Sequence, residues 1–213
     1  MSLIISKKSV DAIVNFEVGS ENLYNRRYTH PVLPGVNSGI TIGIGYDLGM
    51  SSVSTIIKDW TGFVSNNDLA LIKKAAGLTQ TKAKEVLPLL KNVTVSYHDA
   101  EEVFIKDLSN YAAQALHIYP GLEKLNPDTV GAIISLVYNR GSLINDTDRR
   151  KEMKALVGFI AAADYINIAA QFRSMKRLWS SKTAQGLITR REVEALLVDG
   201  SQRVYSDVEK ISI

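Results

Sequence analysis

The sequence predicts an α+β fold, with a small β segment near the N-terminus and a mostly helical larger lobe. Three observations predict it. The stretch Ser20 to Gly49 is crowded with helix breakers, among them Pro31, Pro34, Gly35, Gly39, Gly43, Gly45 and Gly49. Within it, Ile40-Thr41-Ile42-Gly43-Ile44-Gly45-Tyr46 alternates apolar and small or polar residues, the period of a strand. Everything from Ser51 onward returns to helical periodicity.

Taken in order, Ser6 to Val18 carries Val10, Ile13, Val14 and Phe16 at amphipathic spacing, and Gly19 is a natural stop. The strand follows at Ile40 to Tyr46. Short helices are expected over Ser51 to Trp60, Asp68 to Ala76 and Gln80 to Leu90, and a longer one over Tyr97 to His117, stopped before Pro120. Asn126-Pro127 pairs a capping residue with proline at the first helical position and opens a helix to Tyr138. Its Val130, Ile133, Ile134 and Val137 make it the candidate for the most buried helix. Further helices cover Arg149 to Ala163, Ile166 to Arg173 and Thr189 to Val198. No repeat or low-complexity linker interrupts them, so residues 1–213 read as one domain, with a small lobe over about 15–60.

Composition narrows the chemistry. Of 213 residues, 46% are hydrophobic and 22% charged, an ordinary globular balance. No apolar run approaches the roughly 20 residues of a membrane helix, so no membrane insertion is expected. The N-terminus MSLIISKKSV lacks the apolar core of an export signal. With no cysteine, disulfides, thiolate metal sites and cysteine nucleophiles are excluded. His30, His98 and His117 are scattered, so neither a metal nor a histidine triad is expected, and no cofactor is called for. The net charge of +3 is a mild excess without a basic stripe, and 22 acids balance it, so nucleic acid is not an expected partner.

The constellation that carries chemistry begins at Glu17, in the last turn of the first helix. Unpaired carbonyls and the negative end of the helix dipole favour a proton on a carboxylate placed there. Such a carboxylic acid suits protonation of a glycosidic oxygen. On a straight strand, Thr41, Gly43, Gly45 and Asp47 share one face, a hydroxyl and a carboxylate separated by two positions without side chains. Yet a fully extended strand would hold Thr41 and Asp47 about 20 Å apart, too far to serve one water. A bend at Gly43 to Gly45 is therefore expected. Asp47 is the nearest candidate for a second, basic carboxylate, because no acidic residue lies between Glu21 and Asp47. Tyr24, Tyr28 and His30, in the loop before the strand, are candidate groove residues, or packing residues.

These residues resemble the phage-type lysozymes of glycoside hydrolase family twenty-four, which pair a glutamate at the end of their first helix with a threonine in a T-I-G-x-G strand. Here those are Glu17 in Phe16-Glu17-Val18-Gly19 and Thr41-Ile42-Gly43-Ile44-Gly45. Ser135 to Gly141 (SLVYNRG) is similar to the family's central buried helix, and Gly186 to Glu194 (GLITRREVE) to its late arginine-rich helix. Common members place the aspartate six residues before the threonine, where this chain has Gly35; Asp47 instead lies six residues after Thr41. That order resembles a divergent branch, the lysozyme domains of certain bacteriocins.

The resemblance implies a lysozyme-like fold and a muramidase that cleaves the β-1,4 bond between N-acetylmuramic acid and N-acetylglucosamine. Glu17 would be the acid, with Asp47 and Thr41 holding a water on the opposite face. An inverting outcome of that kind implies carboxyl groups roughly 6.5–9.5 Å apart. Gly43 and Gly45 would offer bare backbone to the sugar; Arg190 and Arg191 would contact acidic wall peptides, or lie solvated on a helix face. The expected partner is the peptidoglycan glycan strand, met by a monomer outside the cytoplasm after delivery by another route, such as a phage lysis system or a secretion apparatus. Two rival readings remain: a non-catalytic wall-binding module with the same fold, and a lytic transglycosylase that uses Glu17 without a water-holding base.

Overall fold

In the computed structural model, residues 2–35 and 38–213 are described. Helix accounts for 67% of the chain and the strands are short, so the fold is mostly helical α+β. The chain divides into two compact units, Met1–Phe16 with Leu108–Ile213, and Glu17–Asp107. The second unit thus extends well beyond the boundary near residue 60 expected from the sequence. Short helices downstream of the glycine-rich stretch pack back onto it instead of joining the helical majority.

The first unit is knitted by its ends. Strand β1 (Ile4–Ser6) pairs antiparallel with the last strand, Lys210–Ser212 (β4), with Ile5 opposite Ile211. Helix α1 (Lys7–Val18) begins directly after β1 and carries Val10, Ile13 and Val14 into the core. The remaining helices of this unit are α7 (Pro127–Arg140), α8 (Lys151–Ala161), α9 (Tyr165–Ser174) and α10 (Ser181–Asp199), with the C-terminal half of Tyr97–Ile118 (α6). Every residue of α7 from Asp128 to Val137 is buried, the expected Val130, Ile133, Ile134 and Val137 and also the polar Asp128, Thr129 and Ser135. At Gly131 the helix passes so close to α1 that an added Cβ would fall 1.9 Å from Ser9 Oγ. Helix α10 starts earlier than the expected Thr189, at Ser181, and is kinked at Ala184.

The second unit begins at Glu17, the penultimate residue of α1. Gly19, at φ 75°, ends that helix, and Ser20 caps a new one, α2 (Glu21–Arg27), by accepting from the Leu23 N–H. The breaker-rich stretch was expected to contain no helix; its breakers all lie after Tyr28, which leaves room for two turns. Strands β2 (Thr41–Ile42) and β3 (Tyr46–Asp47) follow, then α3 (Val53–Trp60), α4 (Asn66–Ile72) and α5 (Gln80–Val86). Trp60, fully buried, meets the Tyr46 ring edge-on at 5.4 Å. Tyr24, also fully buried, donates to the Val95 carbonyl and so fixes α2. No helix among the described residues is long and apolar enough to cross a membrane.

Candidate active site

The glycines decide the geometry. Instead of one strand from Ile40 to Tyr46, the chain makes two two-residue strands joined through Gly43, Ile44 and Gly45. Gly43 and Gly45 adopt φ of 58° and 73°, conformations that favour glycine. Gly43 is confined further, since a Cβ there would lie 3.0 Å from the Trp60 ring and 3.2 Å from Ala100. The consequence is a register in which Thr41 stands directly opposite Asp47, and Ile42 opposite Tyr46. The bend expected at Gly43 to Gly45 is present, and the separation of about 20 Å required by a straight strand is gone. On its other side Thr41 exchanges two backbone hydrogen bonds with Val32, of 2.8 and 2.9 Å.

Glu17, Thr41 and Asp47 line one cavity of about 340 Å³. Tyr28, Gly43 and Gly45, expected in the groove, line it too. Tyr28 closes the end of α2, its N–H donating to the Tyr24 carbonyl. Val18, Val32, Pro34 and Ser38 complete the described lining and were not singled out from the sequence. Val18 follows Glu17 and could have been inferred; Val32 enters only through its pairing with Thr41, which no local pattern announces.

Asp47 is held firmly. Its Oδ1 accepts from the Gly49 N–H at 2.8 Å and its Oδ2 from the Gly39 N–H at 3.3 Å. It thereby caps the short 3₁₀ turn Leu48–Met50. Gly39 is needed for this approach, because a Cβ there would sit 2.2 Å from Asp47 Oδ1. Next to it, the Tyr46 hydroxyl donates to Asp59 at 2.8 Å. Burial, together with the Asp59 carboxylate, pushes the Tyr46 phenol above its usual range, so it stays a neutral donor.

Two residues expected to contact ligand are held by protein groups of their own units. The His30 ring bonds the Val93 carbonyl through Nδ1 at 2.9 Å, and His30 is not among the described residues lining the cavity. Arg190 is neither solvated nor poised on a surface: it is only 3% exposed. Within its unit it donates to Ser135 Oγ and pairs with Glu194 at 3.5 Å, and it stacks over Phe16 and Tyr138. Arg191 is fully buried and also pairs with Glu194. Burying two guanidiniums requires a carboxylate among them, and Glu194 supplies it. Burial in turn pushes the Glu194 carboxyl upward, opposed by both arginines and by Ser135. Among the described residues no group of three His, Asp or Glu is placed to hold a metal ion.

Two carboxylates and a hydroxyl around a cavity walled partly by glycine backbone are groups that acid–base chemistry can use. Residues 14–127 match the family described as a domain of unknown function, DUF8812, and the chain belongs to that family. The matched segment contains Glu17, Thr41 and Asp47. No curated protein matches the chain.

Proposed function

We propose that this protein is a peptidoglycan hydrolase with a lysozyme-like fold, a muramidase that cleaves the β-1,4 bond between N-acetylmuramic acid and N-acetylglucosamine. One observation carries the reading: Glu17, Thr41 and Asp47 line the same cavity, with Thr41 opposite Asp47 across a hairpin. Glu17 protonates the glycosidic oxygen. Thr41 and Asp47 hold the attacking water, Asp47 accepting its proton, while Gly43 and Gly45 let the sugar approach the backbone. The protein works as a monomer on glycan strands, in the periplasm or outside the cell, delivered there by another system.

A second reading has its own observation. Both carboxylate oxygens of Asp47 are engaged by backbone N–H groups, which suits a structural anchor as well as a base. If Asp47 only shapes the cavity, Glu17 acts alone and the enzyme is a lytic transglycosylase. Digestion of purified cell walls followed by mass spectrometry separates the two: reducing muramic ends mark the hydrolase, 1,6-anhydro ends the transglycosylase. Glu17→Gln is expected to abolish wall clearing while leaving the circular dichroism spectrum intact. Undiminished clearing by that variant would sink both.

A further inference from the structure

A second cavity, of about 290 Å³, lies wholly within the first unit and is lined by Asn139, Arg140, Arg149, Arg150, Trp179 and Leu187. Its cations are exceptional for their surroundings. Nearby, Arg173 pairs with Glu192 and Asp199, Arg177 with Asp148 and Glu152, and Lys176 with Glu192. Among the described residues, no carboxylate forms a salt bridge with Arg140, Arg149 or Arg150. Arg140 closes α7, and its Nη2 donates to the Arg149 carbonyl at 2.5 Å. Its Nη1 is buried without any hydrogen-bond partner. The Arg140 guanidinium sits 5.2 Å from the Trp179 ring centre, a cation–π contact that fixes its orientation.

A buried donor atom without an acceptor is costly even on a half-buried side chain, and three like charges around one cavity add repulsion. Burial, then the Arg150, Arg191 and Arg149 charges, push the Arg140 guanidinium down to about 10. Glu152 opposes this only at range, being engaged by Arg177 and Ser174. An anion in the cavity would supply the missing acceptor and relieve the repulsion together.

We propose that this cavity is a binding site for a phosphate monoester, with Arg140, Arg149 and Arg150 gripping the phosphate and Trp179 and Leu187 receiving its organic part. Three guanidiniums with no carboxylate call for more than one negative charge, and a phosphate monoester carries close to two at neutral pH with several strong acceptor oxygens. The volume sits at the lower edge of the roughly 300–1,000 Å³ typical of ligand pockets, which suits a small ester. The cavity shares no described lining residue with the Glu17 cavity, and its occupancy does not depend on the reaction assigned there.

The test is calorimetric titration of the full chain at low ionic strength with glycerol phosphate, inorganic phosphate and acetate, alongside intrinsic tryptophan fluorescence. Glycerol phosphate is expected to bind more tightly than inorganic phosphate, acetate to bind negligibly, and added salt to weaken both phosphate ligands. Arg149 is exposed and its backbone carbonyl is unaffected by substitution, so Arg149→Gln keeps the fold. That variant is expected to bind glycerol phosphate at least about tenfold more weakly, the loss of one charge-assisted contact. Arg140→Gln should lose more, with its melting temperature recorded as a control. No heat and no fluorescence change at millimolar glycerol phosphate would overturn the proposal. So would an unchanged affinity in Arg149→Gln, or acetate binding as tightly as phosphate; inorganic phosphate binding more tightly than the ester would remove the role given to Trp179 and Leu187.

Discussion

Replacing Asp47 by asparagine separates its two possible roles, because the structural and chemical losses differ in size. In the native protein Oδ1 accepts from Gly49 at 2.8 Å and Oδ2 from Gly39 at 3.3 Å. An amide in the same rotamer keeps one acceptor for Gly49 but sets its NH₂ against the Gly39 N–H, donor facing donor. Turning the amide exchanges which bond is lost. The structural cost is therefore about one hydrogen bond to a charged group, ~1.5–3 kcal/mol. For a chain of 213 residues that lowers the melting temperature by roughly 3–12 °C, at about 2–4 °C per kcal/mol. Against a domain stability of about 5–15 kcal/mol the variant stays folded at 25 °C. If Asp47 is the base, turnover of purified wall at 25 °C falls by ~10²–10⁴. If it is only an anchor, turnover falls by a few-fold at most. Clearing of purified wall, which both reactions produce, measured with the variant confirmed folded by circular dichroism, decides the matter. A melting temperature lowered within this range, together with near-native turnover, would refute the assignment of Asp47 as base and leave the transglycosylase reading.

Three further perturbations test the packing of the first unit. Gly131→Ala drives a methyl into Ser9 Oγ and Cβ, at 1.9 and 2.2 Å, where two helices meet; a loss of about 1–3 kcal/mol is expected, read as a lower urea midpoint with an unchanged slope. Ser135→Ala removes the donor to Glu194 Oε1 at 2.6 Å and an acceptor for Arg190, inside the buried cluster; chemical denaturation should show a cost of ~1.5–3 kcal/mol. Glu209 is held down to about 2 by the Ser206 N–H and hydroxyl and by Arg203. The unfolded chain takes up that proton more readily, so the contribution is fully present above the ordinary carboxylate range of about 4.3 and fades as pH falls toward 2. Glu209→Gln should flatten this part of the acid limb in thermal melts recorded between those values, and an unchanged limb would count against these contacts as the cause.

What the sequence made legible follows the range of the forces involved. Helix α7 could be read because its proline and its apolar positions are local, whereas burial all round, taking in Asp128, Thr129 and Ser135, comes from the elements packed against it. The pairing of β1 with β4 joins the two ends of the chain in strands of three residues, too short for a pattern and too distant for a turn signal. Helix α2 was hidden for a different reason: composition averaged over a stretch masked two capped turns. The arginines of α10 show the limit most clearly. On a helix face they look solvated, and only the arrival of Ser135 and Glu194 makes burial of Arg190 and Arg191 tolerable. Asp47 falls between these cases. Its spacing from Thr41 forced a choice between a straight strand and a bend, and glycines with positive φ took the bend. The spacing could not reveal that the same carboxylate also ties Gly39 to Gly49. That duty bears on the proposed chemistry, because a carboxylate already accepting two N–H bonds would have to share its lone pairs with any water it activated. A hydrolase built this way depends on Thr41 to position that water, so Thr41→Val should slow wall cleavage more than it lowers stability.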